Sequence, residues 1–386
     1  MGKTSKPIHQ SSKSAQLVIR LLDWFASHAR DLPWRRTRAP YEIWVSEIML
    51  QQTQVKTVIP FWERWMRELP TIKAVACAPS EKIHKLWEGL GYYTRVRNLQ
   101  KAAQQIISQH GGKFPEHYDE VIALPGIGRY TAGAICSIAF NQPTPILDGN
   151  VIRILTRIFG IAENTKEKET NSRLWKLAEE LVTHAKAQGS QSKTFPAFAV
   201  SQALRENNSC SFLNQSLMEF GATHCTPRNP QCPTCPVKAF CAAFKEGRTE
   251  ELPNLDKREA ATSRRFMAFV IERDGKFLVR QRPVGIVNAH LWEFPNAEVG
   301  LNSDDPAEVF ADLDTLRVAN PRGVNLKRLC EVKHSITRYR ITLEAFVVSL
   351  PKTQGKVSGK WKTKAQMQAL AFCSAHKKVH EHLTSV

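Results

Sequence analysis

The chain has 386 residues, of which 42% are hydrophobic, and carries a formal net charge of +18 at pH 7, with a pI near 9.6. One hydrophobic core rarely grows to this length, so we predict two domains. The charge predicts a polyanionic partner, with nucleic acid as the first candidate. We find no run long enough to span a membrane and no secretion or lipidation signal, so we expect a cytoplasmic protein with reduced thiols and no membrane partner.

Two regions of different pattern follow one another along the chain. Residues 14–245 have apolar residues at helical spacing, which predicts an all-α domain. Residues 246–264 are polar and charged, as is typical of a linker. Beyond them, β-rich segments surround an Asp-Gly pair at 274–275 that favours a tight hairpin, so we predict a smaller α+β domain over 265–386. The clearest helical segments are 15–29, 54–68, 80–88, 97–109 and 150–159.

Four cysteines lie within seventeen residues, at the spacing C-x6-C-x2-C-x5-C. Thiolates this close can bind one soft metal centre, which would hold a loose loop together. The spacing matches neither the ferredoxin runs nor the paired cysteines of a typical zinc site, and unrelated thiols rarely lie so close. We predict metal binding and favour an iron–sulfur cluster over zinc. The residues are Cys225, Cys232, Cys235 and Cys241.

A Gly-x-Gly turn joins two apolar helical segments within residues 124–135. Gly126 and Gly128 can adopt backbone angles that expose their amides, and a helix is predicted directly after them. Exposed amides at the positive end of a helix bind phosphate without reading base sequence. Most such turns merely connect helices, but the whole pattern is a helix-hairpin-helix, which is more specific.

Two carboxylates are candidates for catalysis. Asp148 precedes an apolar-periodic segment, so we expect it to cap a helix and to stay ionised, as stabilisation of a developing cation requires. Glu47 has apolar neighbours, and lies either on a solvated helix face or buried with a raised pKa. A buried Glu47 would hold a proton near neutral pH. A protonated Glu beside an ionised Asp is the arrangement that cleaves glycosidic bonds.

Together, the hairpin, the Asp that follows it and the cysteine quartet resemble the endonuclease III superfamily of DNA glycosylases, and more finely the MutY family of adenine glycosylases. The resemblance is strong over about residues 15–245 and weaker beyond, where the chain resembles a Nudix-like reader of 8-oxoguanine. It implies one 4Fe-4S cluster per chain, held by the four cysteines. The motifs that carry it, besides the cysteines, are Leu32–Arg35, Trp44–Val55, Trp87–Tyr93, Leu124–Tyr130, Leu147–Asn150 and Asn214–Ala222.

The resemblance implies catalytic roles for individual residues. Glu47 would protonate the adenine ring and help to activate water. Asp148 would stabilise, or transiently bond, the sugar cation, with Tyr130 and Asn150 assisting. Endonuclease III-like enzymes have a Lys at the position of Tyr130, and that Lys attacks the sugar and leads to strand cleavage. Since Tyr cannot form a Schiff base, we predict a monofunctional glycosylase.

The resemblance also implies DNA contacts, because the bond to be cut is inaccessible until the base is flipped out of the stack. Gln52 and Tyr92 would enter the duplex beside the lesion and help to extrude the base. Gly126 and Gly128 would hold phosphate in the hairpin, and Arg228 would reach phosphate from the cysteine loop.

The chain departs from the family pattern in two places. The stretch 187–213 is unusually long, and we interpret it as a surface insertion. The second domain lacks the acidic signature that binds magnesium, so we expect no pyrophosphatase activity. Where the family reader carries Phe-Ser-His, this chain has Ile336-Thr337-Arg338. Thr337 keeps the hydroxyl group, while Arg338 replaces an imidazole with a fixed cation.

We therefore expect a monomeric, monofunctional glycosylase of base excision repair, which hydrolyses adenine mispaired with 8-oxoguanine or guanine in double-stranded DNA and associates with the nucleoid. One alternative is an endonuclease III-type glycosylase/lyase acting on oxidised pyrimidines, which Tyr130 and the second domain disfavour. The other is a non-catalytic iron–sulfur DNA-binding protein, which leaves Glu47 and Asp148 unexplained.

Overall fold

Contacts within the chain divide it into two compact units. The first comprises residues 1–76 and 98–257, and the second comprises residues 77–97 and 258–386. Residues 77–97 therefore group with the C-terminal part of the chain, although the sequence pattern gives no sign of it. The computed structural model describes residues 13–191, 208–256, 259–300, 305–313, 324–336, 338–349 and 358–385.

The first part of the chain is helical, as the sequence predicts, and each segment with helical periodicity forms a helix. One helix begins at Pro40, because proline lacks only an N–H that the first turn of a helix leaves unpaired. Another begins after Asp148, whose side chain accepts a free N–H of the first turn. In chain order the helices are α1 Lys13–His28, α2 Pro40–Leu50, α3 Val55–Glu68, α4 Ile72–Cys77, α5 Ser80–Trp87, α6 Thr94–Gln109, α7 Tyr118–Ile122, α8 Arg129–Phe140, α9 Gly149–Phe159, α10 Lys168–Gln191, α11 Ser209–Thr223 and α12 Ala242–Lys245.

Gly133 within α8 and Asn141 at its C-terminal end position the elements around the site. A Cβ atom at Gly133 would lie 2.1 Å from the carbonyl oxygen of Pro145, so only glycine lets that segment pass so close to α8. The helix ends at Asn141, whose φ is 52°. The side-chain oxygen of Asn141 accepts hydrogen bonds from the N–H groups of Cys210 (3.0 Å) and Ser211 (3.2 Å), which open α11. The end of α8 thus positions the start of α11.

The second unit is built around a mixed sheet, with strand order β3-β2-β1-β6-β5, β4 beside β1 and β7 beside β2. Among the pairs of these named strands in the described residues, only β1 and β6 run parallel. The predicted hairpin is confirmed, with Asp274 (φ 50°) and Gly275 (φ 72°) at its turn. The elements are β1 Thr262–Arg273, β2 Lys276–Gln281, β3 Trp292–Glu293, β4 Asn296–Val299, α13 Pro306–Ala311, β5 Leu326–Ile336, β6 Tyr339–Ser349, β7 Lys360–Thr363, α14 Lys364–Gln368 and α15 Ser374–Ser385.

Strand β1 is apolar on both faces because both faces of the sheet are covered. Val270 packs in the cluster that includes Val379 of α15, and Phe269 packs in the opposite cluster with Phe310 of α13. The strand begins at Thr262, so the last residues of the stretch with linker composition are part of the sheet. Before it, Leu252 is buried, and its carbonyl accepts a 3.0 Å hydrogen bond from Arg157 of the first unit.

Candidate active site

Glu47 lies on α2, whose residues are nearly all buried, so the carboxyl group stands among apolar neighbours. Of the two alternatives that the sequence leaves open, the structure has the buried one, with Glu47 only 5% exposed. Burial raises the pKa of Glu47 to about 7, and the nearby Asp148 adds to the rise, while a hydrogen bond with Tyr130 and the charge of Arg35 oppose it. A carboxyl group with this pKa can donate a proton at neutral pH.

Tyr130 stands at the second position of α8 and hydrogen-bonds Glu47. Burial, followed by the charges of Glu47 and Asp148, holds the pKa of Tyr130 well above its usual value. The hydroxyl group therefore stays protonated and can donate its hydrogen to the Glu47 carboxylate. Tyr130 cannot serve as a base in this setting.

The turn before α8 aims Tyr130 into the site. Gly126 has a left-handed backbone, with φ 79°, and a Cβ there would lie 2.6 Å from the Cβ of Asn98. Glycine is therefore required at Gly126 on two grounds. Gly128 has φ −98° and open space for a Cβ, so its conformation does not demand glycine. The helix begins directly after Gly128, as the sequence predicts.

Asp148 caps α9, as its position in the sequence predicts. One carboxylate oxygen accepts the N–H of Val151 at 2.8 Å, and the other accepts the side-chain N–H of Asn150 at 3.1 Å. The pKa of Asp148 lies above its usual value because burial outweighs the hydrogen bonds and the charge of Arg153, which reduce the rise. The site thus brings together residues separated by a hundred positions in the sequence, with each carboxyl group in a different environment.

A chain of hydrogen bonds runs from Asp148 along α9 toward the cysteine loop. Arg153 donates to the side-chain oxygen of Asn150 (2.9 Å) and to the carbonyl oxygens of Gly221 (2.7 Å) and Cys225 (2.8 Å). A Cβ at Gly221 would lie 2.6 Å from the Cβ of Asn150, so glycine allows α11 to approach this closely. Asn150 is therefore fixed from both sides.

The four cysteines line one cavity, together with Arg157. Arg157 is 2% exposed, and donates hydrogen bonds to the Sγ of Cys225 (3.4 Å) and to the carbonyl oxygens of Thr226 (2.7 Å) and Pro227 (3.2 Å). Burial raises the pKa of Cys235 to about 12, so metal binding there must displace protons. Four soft sulfur donors around one cavity fit an iron–sulfur cluster. The donors are Cys225, Cys232, Cys235 and Cys241.

Two of the predicted DNA contacts have unusual backbone conformations. Gln52 is exposed and has φ 55°, and Tyr92 is 47% exposed and has φ 48°. Left-handed backbone at a residue other than glycine costs free energy, and often marks a functional position. Arg228, also a predicted DNA contact, is exposed in the cysteine loop. Gln52 belongs to the first unit and Tyr92 to the second.

The β5–β6 turn carries the residues predicted to read the opposite base. Arg338 donates a 2.6 Å hydrogen bond to the exposed Glu259, and its backbone carbonyl accepts the N–H of Thr262. Thr337 lies outside the described residues, and so does 192–207, most of the predicted insertion. The part of that stretch before residue 192 continues α10.

Sequence reasoning missed a buried ion-pair cluster beside the site. Glu219 of α11 is fully buried, and its carboxylate oxygens form ion pairs with the guanidinium groups of Arg30 (2.5 Å) and Arg35 (2.8 Å). Burial alone would raise the pKa of Glu219, but the two guanidinium groups hold it below its usual range. Arg35 in turn lowers the pKa of Glu47. The sequence signal for this cluster is a lone Glu within the apolar run of α11. Arg153 and Arg157 at helical spacing in α9 are a similar signal for buried charges.

Comparison with known proteins decides the family. Residues 45–180 match the model of the HhH-GPD superfamily of base excision DNA repair proteins. The adenine DNA glycosylase of Homo sapiens is 33% identical over 419 residues, which cover 93% of this chain and 72% of the human protein. The chain belongs to the adenine DNA glycosylase family. The Arabidopsis thaliana adenine DNA glycosylase is likewise 33% identical, over 98% of this chain and 66% of its own length.

Other matches agree with this adenine DNA glycosylase family assignment and with both predicted folds. Residues 266–382 match the NUDIX domain, and residues 225–241 match the iron–sulfur binding domain of endonuclease III. A thermostable thymine-DNA glycosylase structure is 27% identical and covers 61% of this chain and 98% of its own, with a TM-score of 0.51. The chain is thus a DNA glycosylase of base excision repair with a 4Fe-4S cofactor, and the lyase alternative is not favoured.

Among the described residues, no helix is long and apolar enough to cross a membrane.

Proposed function

We propose that this enzyme hydrolyses the N-glycosidic bond of adenine mispaired with 8-oxoguanine or guanine in duplex DNA. We also infer that residues 14–245 form the glycosylase domain and residues 265–386 the reader of the opposite base, joined through 246–264. The family supports the glycosylase reaction on adenine. The identity of the opposite base rests on the resemblance of the second domain.

The observation that carries the proposal is the pair of carboxyl groups with different environments. Glu47 is surrounded by apolar residues and has a pKa of about 7. Asp148 is also buried, but backbone and side-chain N–H groups at the start of α9 stabilise its charged form. Two carboxyl groups whose environments differ in this way can act as acid and as charge stabiliser in one site.

The reaction then follows from these groups. Glu47 donates its proton to a ring nitrogen of the extruded adenine, which makes the base a better leaving group. As the bond breaks, positive charge develops on the sugar, and the Asp148 carboxylate stabilises it. The Glu47 carboxylate, hydrogen-bonded by Tyr130, then accepts a proton from the water that attacks the sugar. The products are free adenine and an abasic site, and Glu47 regains its proton.

The proposed acid predicts the pH dependence of the reaction. The single-turnover rate of adenine release is expected to fall as pH rises above about 7, because only protonated Glu47 can donate and its fraction falls up to about tenfold per pH unit. Arg35→Met should move this fall to higher pH, since the Arg35 charge lowers the pKa of Glu47. Rates measured with excess enzyme from about pH 6 to pH 9 check both. A flat profile would contradict the assignment of Glu47 as acid.

The opposite base is tested with duplexes that differ only there. Adenine release should be fastest opposite 8-oxoguanine, slower opposite guanine, and absent when adenine pairs with thymine. Thr337→Ala should reduce the preference for 8-oxoguanine over guanine by about two- to tenfold, as expected for one lost hydrogen bond. Arg338→Ala is the comparison, and should weaken binding to both duplexes alike if its guanidinium contacts phosphate. Equal rates opposite 8-oxoguanine and thymine would refute the proposed substrate.

A further inference from the structure

The loop that carries Tyr92 accepts side-chain hydrogen bonds from both of its flanking helices, α5 and α6. Trp87 donates its indole N–H to the carbonyl of Gly91 (3.1 Å), and Arg95 donates to the carbonyl of Leu90 (2.8 Å). The chain passes through Gly91 at φ 69° and Tyr92 at φ 48°, which leaves the Tyr92 ring 47% exposed. A loop held in this strained form fixes the direction in which Tyr92 projects.

Glu88 joins the start of this loop to the C-terminal part of the second unit. One carboxylate oxygen accepts the backbone N–H of Phe372 at 2.9 Å. The other lies 2.9 Å from the ammonium group of Lys85 and 3.4 Å from that of Lys377. Lys85 also donates to the carbonyl of Leu370 at 3.0 Å. Glu88 is 8% exposed and its hydrogen bond with Phe372 is buried, so the low local dielectric strengthens that bond, whereas the two ammonium groups are more than a third exposed.

The N–H of Phe372 is available to Glu88 because its neighbours pair with β3. Trp292 donates its N–H to Ala371 (2.9 Å) and accepts the N–H of Cys373 (3.1 Å). Alternation along an extended segment points the intervening N–H of Phe372 in the opposite direction, toward the carboxylate. Loss of Glu88 would leave a buried N–H group without this acceptor.

We propose that Glu88 is a positioning residue for base extrusion. Through Phe372 and Lys377 it couples the placement of Tyr92 to the domain that reads the opposite base. The inference rests on the proposed function, since it assigns Tyr92 to the step in which adenine leaves the stack. A misplaced Tyr92 slows extrusion and leaves the chemistry at Glu47 and Asp148 intact.

The test compares two duplexes with adenine opposite 8-oxoguanine. In one, the target adenine is flanked by paired bases, and in the other by mismatches that already unstack it. Glu88→Ala should slow single-turnover release about tenfold on the first duplex and no more than about twofold on the second, because unstacking no longer limits the rate. Tyr92→Ala should give the same pattern. The Glu88→Ala/Tyr92→Ala double variant should be no slower than Tyr92→Ala alone, since both changes affect one step.

Glu81 is an exposed glutamate on α5, and Glu81→Ala is the matched control, which should leave both rates unchanged. Glu88→Gln keeps the size of the side chain and an acceptor for the N–H of Phe372, so it can be measured even if Glu88→Ala does not fold. It should slow release less than Glu88→Ala on the paired duplex, and the mismatched duplex should again restore the rate. Equal slowing on both duplexes, or additive effects with Tyr92→Ala, would overturn the inference. A parent enzyme that releases adenine from neither duplex would instead refute the proposed function beneath it.

Discussion

Glu47→Gln is expected to lower the single-turnover rate of adenine release by about 10³-fold, because an amide cannot donate a proton to the leaving base. Binding of the duplex should be nearly unchanged, since Glu47 is buried and contributes no exposed charge. The amide is neutral at every pH, so the variant should also lose the fall in rate above about pH 7 that the parent shows. The rate with excess enzyme and the affinity for an uncleavable duplex measure the two effects separately.

Glu42→Gln is the matched control for this substitution. Glu42 lies in the first turn of the same helix and is only partly buried. Its replacement should leave the rate within about twofold of the parent, because surface charge changes have small effects. If Glu47→Gln instead retains a rate close to that of the parent, Glu47 is not the acid.

Asp148→Asn is expected to lower the same rate by about 10²- to 10³-fold, because a neutral amide does not stabilise a sugar cation. Asn caps helices about as well as Asp, so the hydrogen bond to the N–H of Val151 and the stability of α9 should be retained. Thermal unfolding of the variant should therefore resemble that of the parent. This combination separates the catalytic role of the carboxylate from its capping role.

Asp305→Asn tests that separation at a second helix. Asp305 caps α13 of the other unit by accepting the N–H of Ala307 at 3.0 Å, and takes no part in the proposed chemistry. Its replacement should change neither rate nor stability appreciably. If Asp148→Asn turned over within a few-fold of the parent, the cation would have to be stabilised by another group.

Local features of the site and of the fold could be predicted from the sequence. Asp148 before an apolar-periodic segment predicts a helix cap, and an Asp-Gly pair at 274–275 predicts a hairpin, because both depend on a few consecutive residues. Both are confirmed. The burial of Glu47 could not be predicted, since an apolar helix with one carboxyl group has the same local pattern whether that group is buried or solvated.

Long-range partners of buried charges could not be predicted. Glu219 and Arg35 are far apart in sequence, and so are Arg153 and Cys225, so no helical or strand period relates them. The sequence signals only that a charge lies in an apolar segment and needs a partner. The same holds for Glu88, whose contact with Phe372 lies within the unit that combines residues 77–97 with the C-terminal part of the chain.

The most direct test of the central claim identifies the products from a duplex with adenine opposite 8-oxoguanine. Free adenine should appear in equal amount to abasic sites, the strand should stay intact until alkali is added, and borohydride should trap no enzyme–DNA adduct, because Tyr130 cannot form a Schiff base. Release of an oxidised pyrimidine instead of adenine, or strand cleavage through a trapped adduct, would contradict the account.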